Sequence, residues 1–295
     1  MAEGQSTRAT VAIIGAGEMG SAVGRHLREA GARVITEVKG RSRPSVERVR
    51  RAGLEVIDDD DRLVSEADYF LSIVPPGVAL SIAERFREPL MRANPKPVFV
   101  ECNAISPATT RKIHSLLAPT GCGFVDGGII GGPPPADSAG ERRGPRFYVS
   151  GPEAESFARL AAYGLDIVVL EGPVGAASGL KLAYAGLTKG LTALGAAMIG
   201  AAAREGLGEA LRSELARTQP DILSRFERFI PSMFPKAYRW VAEMEEIAAF
   251  AGSAGEGATI YEGAARLYER IAAEMARGES SGRLATISEF CNKPG

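Results

Sequence analysis

The stretch Val11-Ala12-Ile13-Ile14-Gly15-Ala16-Gly17-Glu18-Met19-Gly20 decides the fold class. A short apolar run leads into the pattern G-x-G-x-x-G, and the residues that follow have helical spacing. Between a strand and a helix, the first glycine allows a tight turn, the second admits a pyrophosphate, and the third lets helix pack against strand. The helix N-terminus adds free N–H groups and a positive dipole end. We therefore predict a dinucleotide site formed by Gly15, Gly17, Glu18, Met19 and Gly20.

Around this motif, short β-rich runs alternate with helical ones as far as about residue 149. The sequence predicts strands at 11–14, 33–36, 69–74 and 98–101, and weaker ones at 55–57, 123–126 and 146–150. It predicts helices at 19–30, 44–52, 77–90 and 107–117. Such alternation is typical of a parallel sheet covered on both faces. The acidic run 58–61 is interpreted as a solvated turn that caps a short helix, because adjacent residues do not converge on a metal.

After residue 172 the alternation stops, and helical stretches follow with breaks near Pro220, Pro231 and 252–257. One long helix is predicted at Ala176–Arg204, and its Gly and Ala content should let neighbouring helices approach closely. Residues 279–295 are polar and are predicted to form a loose tail. The predicted fold class is an α/β Rossmann domain at 1–173, followed by an all-α C-terminal domain at 174–295, with a long interdomain helix between them.

Composition narrows the class of protein. The 295 residues carry 35 Lys+Arg and 36 Asp+Glu, a formal net charge of −1, so no excess of positive charge attracts the chain to a nucleic acid. No apolar signal segment occurs in residues 1–10, and the uncharged stretch 190–203 is too short to span a bilayer, so no membrane is expected. The three cysteines lack metal or redox spacing and fit the reducing cytoplasm. His26 and His114 have no acid or nucleophile at motif spacing and are interpreted as structural or exposed; no metal site is predicted.

The end of the second predicted strand should select the cofactor. Glu37 stands near the position where an acidic residue binds the ribose hydroxyls of NAD. It is followed by Arg41, Ser42 and Arg43, and forked guanidinium donors suit the 2′-phosphate of NADP. NADP is the favoured cofactor. The alternatives are NAD, bound by Glu37, and an ordinary solvated basic loop.

Five stretches together resemble the β-hydroxyacid dehydrogenases, a family that includes 3-hydroxyisobutyrate and 6-phosphogluconate dehydrogenases and has imine reductases as relatives. The resemblance covers residues 15–205 and rests on Gly15-Ala16-Gly17-Glu18-Met19-Gly20, Val74-Pro75-Pro76-Gly77, Glu101-Cys102-Asn103-Ala104-Ile105-Ser106-Pro107, Asp126-Gly127-Gly128-Ile129-Ile130-Gly131-Gly132 and Gly179-Leu180-Lys181. Residues 236–246 are similar to a phosphogluconate-dehydrogenase-like branch whose substrates are mostly unassigned.

The resemblance implies roles for individual residues and a helical domain that forms a homodimer. Val74, Pro75 and Pro76 would border the adenosine side of the cofactor, and Asn103 would lie near the nicotinamide ribose. The 127–132 loop would line the substrate pocket with backbone N–H groups, and its candidate substrate residues are Gly127, Gly128, Ile129 and Ile130.

Lys181 matches the catalytic lysine of the family. A desolvated lysine near neutrality can take a proton from an alcohol or return one to a carbonyl. Tyr184, Thr188 and Lys189 follow on roughly the same helix face, and Tyr184 and Lys189 are candidate substrate residues. The alternative for Lys181 is a snorkelling surface residue.

Two positions depart from the family pattern. Ile130 replaces the usual Ser of the substrate loop, and Ala185 replaces the usual Asn one turn after the lysine. Both changes remove a hydrogen-bond partner, so the substrate is expected to be bulkier or more apolar than 3-hydroxyisobutyrate.

The segment 239–246 places the only tryptophan beside an arginine. One interpretation is a lid over the substrate, with Arg239 and Trp240 as contacts. The other is an amphipathic core helix that buries Tyr238, Val241 and Met244.

The function predicted from the sequence is an NADP-dependent oxidoreductase that moves hydride between nicotinamide and an alcohol or carbonyl carbon. Lys181 would exchange the proton, and Asn103 would help to position ribose and substrate. The alternatives are an imine reductase and a non-catalytic NADP-binding sensor. Imine reductases generally lack the lysine, whereas Ile130 and Ala185 make the sensor conceivable.

Overall fold

A computed structural model of the chain describes residues 8–135, 144–252, 256–278 and 282–292. The chain divides into two compact units, Met1–Lys181 and Leu182–Gly295. Lys181 therefore belongs with the first unit, although it lies on a helix that continues into the second.

The first unit is built on an eight-stranded sheet. The strands are β1 Thr10–Ile14, β2 Arg33–Thr36, β3 Glu55–Val56, β4 Tyr69–Ser72, β5 Val98–Glu101, β6 Gly123–Ile130, β7 Arg146–Ser150 and β8 Asp166–Val169. Their order in the sheet is β3-β2-β1-β4-β5-β6-β7-β8. The first six strands are parallel, β7 is antiparallel to β6, and β8 is parallel to β7. The predicted Rossmann-type domain is confirmed.

Helices cover both faces of this sheet. They are α1 Glu18–Glu29, α2 Arg43–Ala52, α3 Asp60–Ser65, α4 Ala79–Arg92, α5 Pro107–Leu117 and α6 Ala154–Ala158. Alternate residues of β1 enter different apolar clusters, Val11 and Ile13 on one face and Ala12 and Ile14 on the other. This two-sided burial explains why the strands are continuous apolar runs.

The acidic run behaves as predicted. The Asp59 carboxylate accepts a hydrogen bond from the backbone N–H of Arg62 at 2.7 Å and caps α3. Among the described ranges, no group of three His, Cys, Asp or Glu side chains could hold a metal ion.

Two differences from the predicted elements bear on the site. Strand β8 was missed, because its residues are all half-buried and show no alternation. The stretch Gly127–Ile130 was expected to be a loop, but it belongs to β6 and pairs with β7, so that Gly128 lies opposite Tyr148. The loop prediction is wrong because antiparallel pairing with β7 extends the strand past the end of its parallel partner β5.

The second unit is helical. Its helices are α7 Ala176–Arg204, which begins in the first unit, α8 Gly208–Thr218, α9 Pro220–Met233, α10 Ala237–Ala251, α11 Glu256–Ala276 and α12 Arg283–Asn292. The predicted bounds of the long helix are confirmed. The break predicted near Pro231 is confirmed, because Pro231 lies in the last turn of α9, which ends at Met233.

The predicted loose tail at 279–295 is wrong for its described part. Residues 283–292 form α12, and Leu284, Ile287 and Phe290 are buried in the core of the helical unit. Residues 279–281 and 293–295 lie outside the described ranges.

By length and composition alone, α7 is the one helix of the described chain that could cross a membrane. Within the helical unit, however, Leu182, Ala193 and Ile199 of α7 are buried in the apolar core. Core helices of soluble proteins pass the same test, so this property is weak evidence for a membrane span.

Candidate active site

The glycine motif has the geometry that a dinucleotide requires. Gly15 has φ +89°, and a Cβ there would lie 2.2 Å from the Ile73 carbonyl oxygen. A Cβ on Gly20 would lie 2.5 Å from the Gly15 carbonyl oxygen, so this glycine permits α1 to pack on the turn. Around Gly17 the nearest atom would be 3.8 Å away, which leaves open space at the N-terminus of α1. An anionic group can approach the backbone at that point.

A cavity of about 220 Å³ begins at this loop. It lies at the carboxyl ends of β1, β2 and β4, which is where open α/β sheets bind ligands. The lining residues are Gly15, Ala16, Gly17, Glu37, Val38, Arg41, Ser45, Val49, Ile73 and Pro75. Four of the predicted cofactor residues are thus brought together: Gly15, Gly17, Arg41 and Pro75. Ser45 was missed, although its position one turn after Arg41 is a usable signal.

Glu37 forms the floor of the cavity and is 2% exposed. Its Oε1 lies 3.4 Å from Nη1 of Arg85 and 3.7 Å from Nη2 of Arg41. Two bonds to Asp60, of 2.8 and 2.6 Å, hold Arg85 in place. Oε2 of Glu37 is buried and has no hydrogen-bond partner among the described residues. A buried acceptor without a partner in the cavity lining fits a ribose hydroxyl of a dinucleotide.

Other predicted cofactor residues surround the cavity without lining it. Ser42 makes a 3.1 Å hydroxyl contact with Ser45, whereas Arg43 is exposed at the start of α2. The remaining ones are Glu18, exposed as the first residue of α1; Met19, half-buried beside it; Gly20; Val74, buried after β4; and Pro76, which begins a single 3-10 turn.

Asn103 ties together the ends of two neighbouring strands. Its Oδ1 accepts a bond from the Val74 N–H at 2.6 Å, and its Nδ2 donates to the Ser72 hydroxyl at 2.9 Å. The Asn103 backbone N–H donates to Oε1 of Glu101 at 2.9 Å. The side chain is buried and fixes the segment beside Pro75, which lines the cavity. Direct contact of Asn103 with ribose or substrate stays a prediction.

The glycines of β6 allow close packing. A Cβ on Gly127 would lie 3.1 Å from the Cys102 Sγ. One on Gly128 would lie 2.8 Å from the Ala177 carbonyl oxygen and 3.2 Å from the Lys181 Cβ. The first turns of α7 therefore rest directly on the strand. Ile129 is buried and Ile130 is half-buried; the substrate roles of all four residues stay predictions.

Asp126 caps the N-terminus of α7. Its Oδ2 accepts bonds from the backbone N–H groups of Gly175, Ala177 and Ser178 at 2.8, 3.0 and 3.2 Å, and from the Ser150 hydroxyl at 2.9 Å. The Ser178 hydroxyl donates to Oδ1. A buried carboxylate at the positive end of the helix dipole fixes the start of α7, and so the backbone position of Lys181 on the second turn. This role was missed, because the acidic residue and the helix start are far apart in sequence.

Lys181 is half-buried and acts electrostatically on two buried neighbours, Glu101 and Cys102. Burial raises the pKa of the Glu101 carboxyl to about 8, while hydrogen bonding from Asn103 and the charge of Lys181 oppose that rise. Burial also raises the pKa of the Cys102 thiol, which therefore stays neutral. The charge of the predicted catalytic lysine thus acts on a buried carboxyl group, Glu101, that the sequence did not single out.

Within the helical unit, Lys189 and Trp240 are brought together. Nζ of Lys189 pairs with the Glu243 carboxylate and lies 4.9 Å from the centroid of the Trp240 ring. The Tyr268 hydroxyl donates to the Lys189 carbonyl oxygen at 2.6 Å. Within this unit, the charge of Lys189 is therefore compensated by the carboxylate of Glu243. Its predicted substrate contact stays a prediction.

Tyr184 is exposed on α7, and Arg239 is exposed on α10. The core-helix interpretation of α10 holds for Met244, which is fully buried, but it is wrong for Tyr238, which is 69% exposed. Ala185, the other departure from the family pattern, is buried in the helical core. The lid interpretation of α10 stays a prediction.

The two histidines have structural surroundings. His26 is buried, and its Nε2 lies 3.0 Å from the Gly164 carbonyl oxygen. The ring of His114 packs on Phe124, with the two centroids 4.8 Å apart.

Comparisons with known proteins agree with this geometry. The NAD binding domain of 6-phosphogluconate dehydrogenase matches residues 10–163, and a domain of unknown function (DUF1932) matches residues 202–271. A solved structure of the conserved protein MTH1747 of unknown function, described as structurally similar to 3-hydroxyacid dehydrogenases, is 30% identical, with a TM-score of 0.67. The match covers 92% of this chain and 100% of that one.

Two other proteins broaden the comparison. A 3-hydroxyisobutyrate dehydrogenase from Pseudomonas aeruginosa is 28% identical over 50% of this chain and 48% of its own length. An imine reductase from Myxococcus stipitatus in complex with NADP⁺ shares the fold, at 20% identity and a TM-score of 0.54, with coverage of 95% and 99% of the two chains. A variant of that enzyme is described in complex with NAD⁺. With an NAD-binding domain matched over more than half of its length, the chain belongs to the 6-phosphogluconate dehydrogenase-type NAD(P)-binding family, within the hydroxyacid dehydrogenase-like fold.

Proposed function

We propose that the protein is an NAD(P)-dependent oxidoreductase acting on an alcohol or carbonyl carbon, and that Lys181 exchanges the proton. The observation that carries this proposal is the seating of Lys181 on β6: its Cβ would be 3.2 Å from a Cβ on Gly128, beyond the carboxyl end of β5. The cofactor cavity opens along the same edge of the sheet, at β1, β2 and β4. Glu37 and the glycine loop would hold the adenosine and the pyrophosphate of the dinucleotide, and Lys181 lies at the same edge of the sheet.

When bound, the nicotinamide ring supplies hydride at C4 or accepts it there. In the oxidation direction, the neutral amine of Lys181 takes the hydroxyl proton as the carbon loses hydride. In the reduction direction, the ammonium returns a proton to the carbonyl oxygen. A proton-transfer group of this kind contributes roughly 10²–10⁴ in rate.

The proposed substrate is a β-hydroxy acid or a bulkier, more apolar relative. Ile130 offers no hydrogen bond from its side chain where the family carries a serine. A carboxylate or hydroxyl opposite it would lose a partner, whereas an alkyl group would gain apolar contact. Reduction of a C=N bond is the second candidate, supported by the shared fold with an imine reductase.

The experiment is to compare wild type with Lys181→Met on a panel of β-hydroxy acids, their ketones and cyclic imines. We expect the variant to bind NADPH unchanged and to lose alcohol oxidation by about 10²–10⁴-fold. Lys112→Met, which removes an exposed lysine of α5 in the same unit, is the matched control and should retain full turnover. Undiminished oxidation in Lys181→Met would remove the lysine from the mechanism. Tight NADPH binding without turnover of any panel member would favour the sensor.

For the cofactor we propose NADP. Arg41 lines the cavity, and Ser45 presents a hydroxyl that Arg48 contacts at 2.9 Å. The ion pair of Arg41 with Glu37 is long, at 3.7 Å from Oε1, and therefore weak. A 2′-phosphate would attract Arg41 away from Glu37. NAD is the second candidate, favoured by the unpartnered Oε2 of Glu37.

The dissociation constants of NADPH and NADH decide between them. With NADP as the cofactor, Arg41→Ala should weaken NADPH binding by about tenfold or more and leave NADH unchanged. Arg50→Ala, which removes an exposed arginine on α2, is the control. Tighter binding of NADH than of NADPH by wild type, lost in Glu37→Gln, would assign NAD instead.

We also propose that the helical unit forms a homodimer along α7. Tyr184, Leu187, Leu191, Leu194 and Met198 recur at alternating intervals of three and four residues, as in a helix-pairing seam. Leu187 is 74% exposed and Leu194 is 59% exposed, so the seam is unusually apolar for a surface.

Sedimentation equilibrium tests the pairing. Leu187→Glu combined with Leu194→Glu should convert a dimer to a monomer, whereas Met91→Glu, on an exposed site of α4, should leave the mass unchanged. A wild-type monomer at micromolar concentration would contradict the proposal.

For location we propose the cytoplasm, because Cys102, Cys122 and Cys291 are all free thiols. Cell fractionation tests this, and recovery of the protein in the membrane or secreted fraction would contradict it.

A further inference from the structure

Glu101 is a fully buried carboxyl group at the carboxyl end of β5. Its Oε1 accepts the Asn103 N–H at 2.9 Å, but its Oε2 is buried with no hydrogen-bond partner in the described part of the chain. Ser72 lies opposite it in β4, and Asp126 lies opposite it in β6. A carboxyl group that is half satisfied and shielded from water costs stability, which calls for a functional explanation.

The charged groups around Glu101 come from two elements. Asp126 on β6 raises its pKa and Lys181 on α7 lowers it, whereas Ser72 on β4 is neutral and the Cys102 thiol keeps its proton. The carboxylate of Asp126 is surrounded by the donors at the start of α7. With a pKa of about 8, the carboxyl of Glu101 is mostly neutral at pH 7 and becomes charged above pH 8.

Glu101 and Lys181 lie on the same face of the sheet. In the pairing of β5 with β6, Glu101 lies opposite Asp126, and Gly128 is two residues after Asp126 and so points to the same face. A Cβ on Gly128 would lie 3.2 Å from the Lys181 Cβ. The lysine side chain thus begins next to the strand that pairs with Glu101. This proximity and the shielding from water explain why the two charges act on each other.

We propose that Glu101 is a positioning residue that controls the protonation of Lys181. While Glu101 is neutral it attracts the ammonium of Lys181 only weakly, so Lys181 holds its proton less tightly than it does when Glu101 is charged. Once Glu101 has released its own proton to solvent, the carboxylate holds the proton on Lys181. This inference rests on the proposed function for its catalytic meaning, because it sets the pH range in which the lysine can serve as a base.

The test is the pH dependence of trace acetylation at Lys181 by acetic anhydride, measured by mass spectrometry in wild type and Glu101→Gln. Glutamine keeps an acceptor for the Asn103 N–H but never becomes charged. Both proteins should react equally near pH 7. Near pH 9 the variant should react several-fold faster, up to about tenfold, because an opposite charge at close range shifts a pKa by about 1–3 units. A constant ratio from pH 7 to 9 would overturn the proposal.

Controls separate charge from packing. Cys102→Ala changes the buried neighbour of Glu101 without removing an ionised group, and its acetylation curve should match wild type. Glu101→Asp retains a carboxylate, so near pH 9 its Lys181 should be acetylated more slowly than that of Glu101→Gln, as in wild type. If Glu101→Gln does not fold, the pKa of the Glu101 carboxyl is measured instead by carbon-13 NMR, in wild type and in Lys181→Met. Loss of the lysine charge should raise the Glu101 pKa, and an unchanged value would overturn the proposal.

The acetylation and turnover results fail independently. Separated acetylation curves with no turnover of any alcohol, carbonyl or imine would keep the coupling and refute the proposed function. Coincident curves in an enzyme that needs Lys181 for turnover would refute the coupling alone.

Discussion

Asp126→Asn should loosen the start of α7 without changing the shape of the side chain. The carboxylate accepts three backbone N–H groups and two hydroxyls. Bonds to a charged acceptor contribute about 1.5–3 kcal/mol each and bonds to a neutral one about 0.5–1.5 kcal/mol. Because the five donors share one charge, the losses do not add fully, and we expect a cost of about 3 kcal/mol, part of which comes from the helix dipole.

Hydrogen exchange measures this effect locally. The amides of Gly175, Ala177 and Ser178 should exchange roughly 100-fold faster in the variant, since every 1.4 kcal/mol corresponds to a factor of ten. Turnover should fall by about tenfold, because Lys181 is less firmly placed. Asp166→Asn is the control: it removes a surface ion pair with Arg146 and should cost less than about 1 kcal/mol. Unchanged exchange at these three amides would refute the idea that Asp126 anchors the helix.

Three further outcomes follow from the contacts. Gly128→Ala places a Cβ 2.8 Å from a helix carbonyl, so urea unfolding should show a loss of about 1–3 kcal/mol and turnover should fall; unchanged stability would contradict the close approach. Glu101 has a raised pKa of about 8 in the folded chain, so between pH 4.5 and 8 the native state holds a proton that the unfolded chain releases. Stability should therefore fall by roughly 1 kcal/mol per pH unit as pH rises through this window, and the slope should vanish in Glu101→Gln, as measured by urea unfolding at each pH. Lys189→Met leaves Glu243 buried without its ion pair and should cost about 3 kcal/mol, followed by Trp240 fluorescence; adding Glu243→Leu should recover most of that loss, and additive losses would argue against the pair.

Local steric and hydrogen-bonding requirements made much of the fold readable from the amino acids. At Gly15 and Gly20 a Cβ would lie within 2.5 Å of backbone, so glycine is required at both positions. Both glycines fall within the six consecutive residues 15–20, where the sequence pattern shows them directly. The bounds of α7 were also predictable, because Pro173 and Gly175 precede it and Gly206 follows it. The short apolar runs between helical segments identified the sheet, because strands covered on both faces must be apolar throughout.

Contacts between distant parts of the chain could not be read in this way. The bond from Gly175 to Asp126 spans 49 residues, and the pairing that turns Gly127–Ile130 into strand depends on β7. The burial of Glu101, and hence its raised pKa, exists only once β4, β6 and α7 surround it. A short window of sequence specifies which backbone shapes are allowed, whereas desolvation and charge coupling are set by neighbours that only the folded chain assembles. For that reason the cofactor loop was evident from the residues themselves, and the electrostatic surroundings of Lys181 were not.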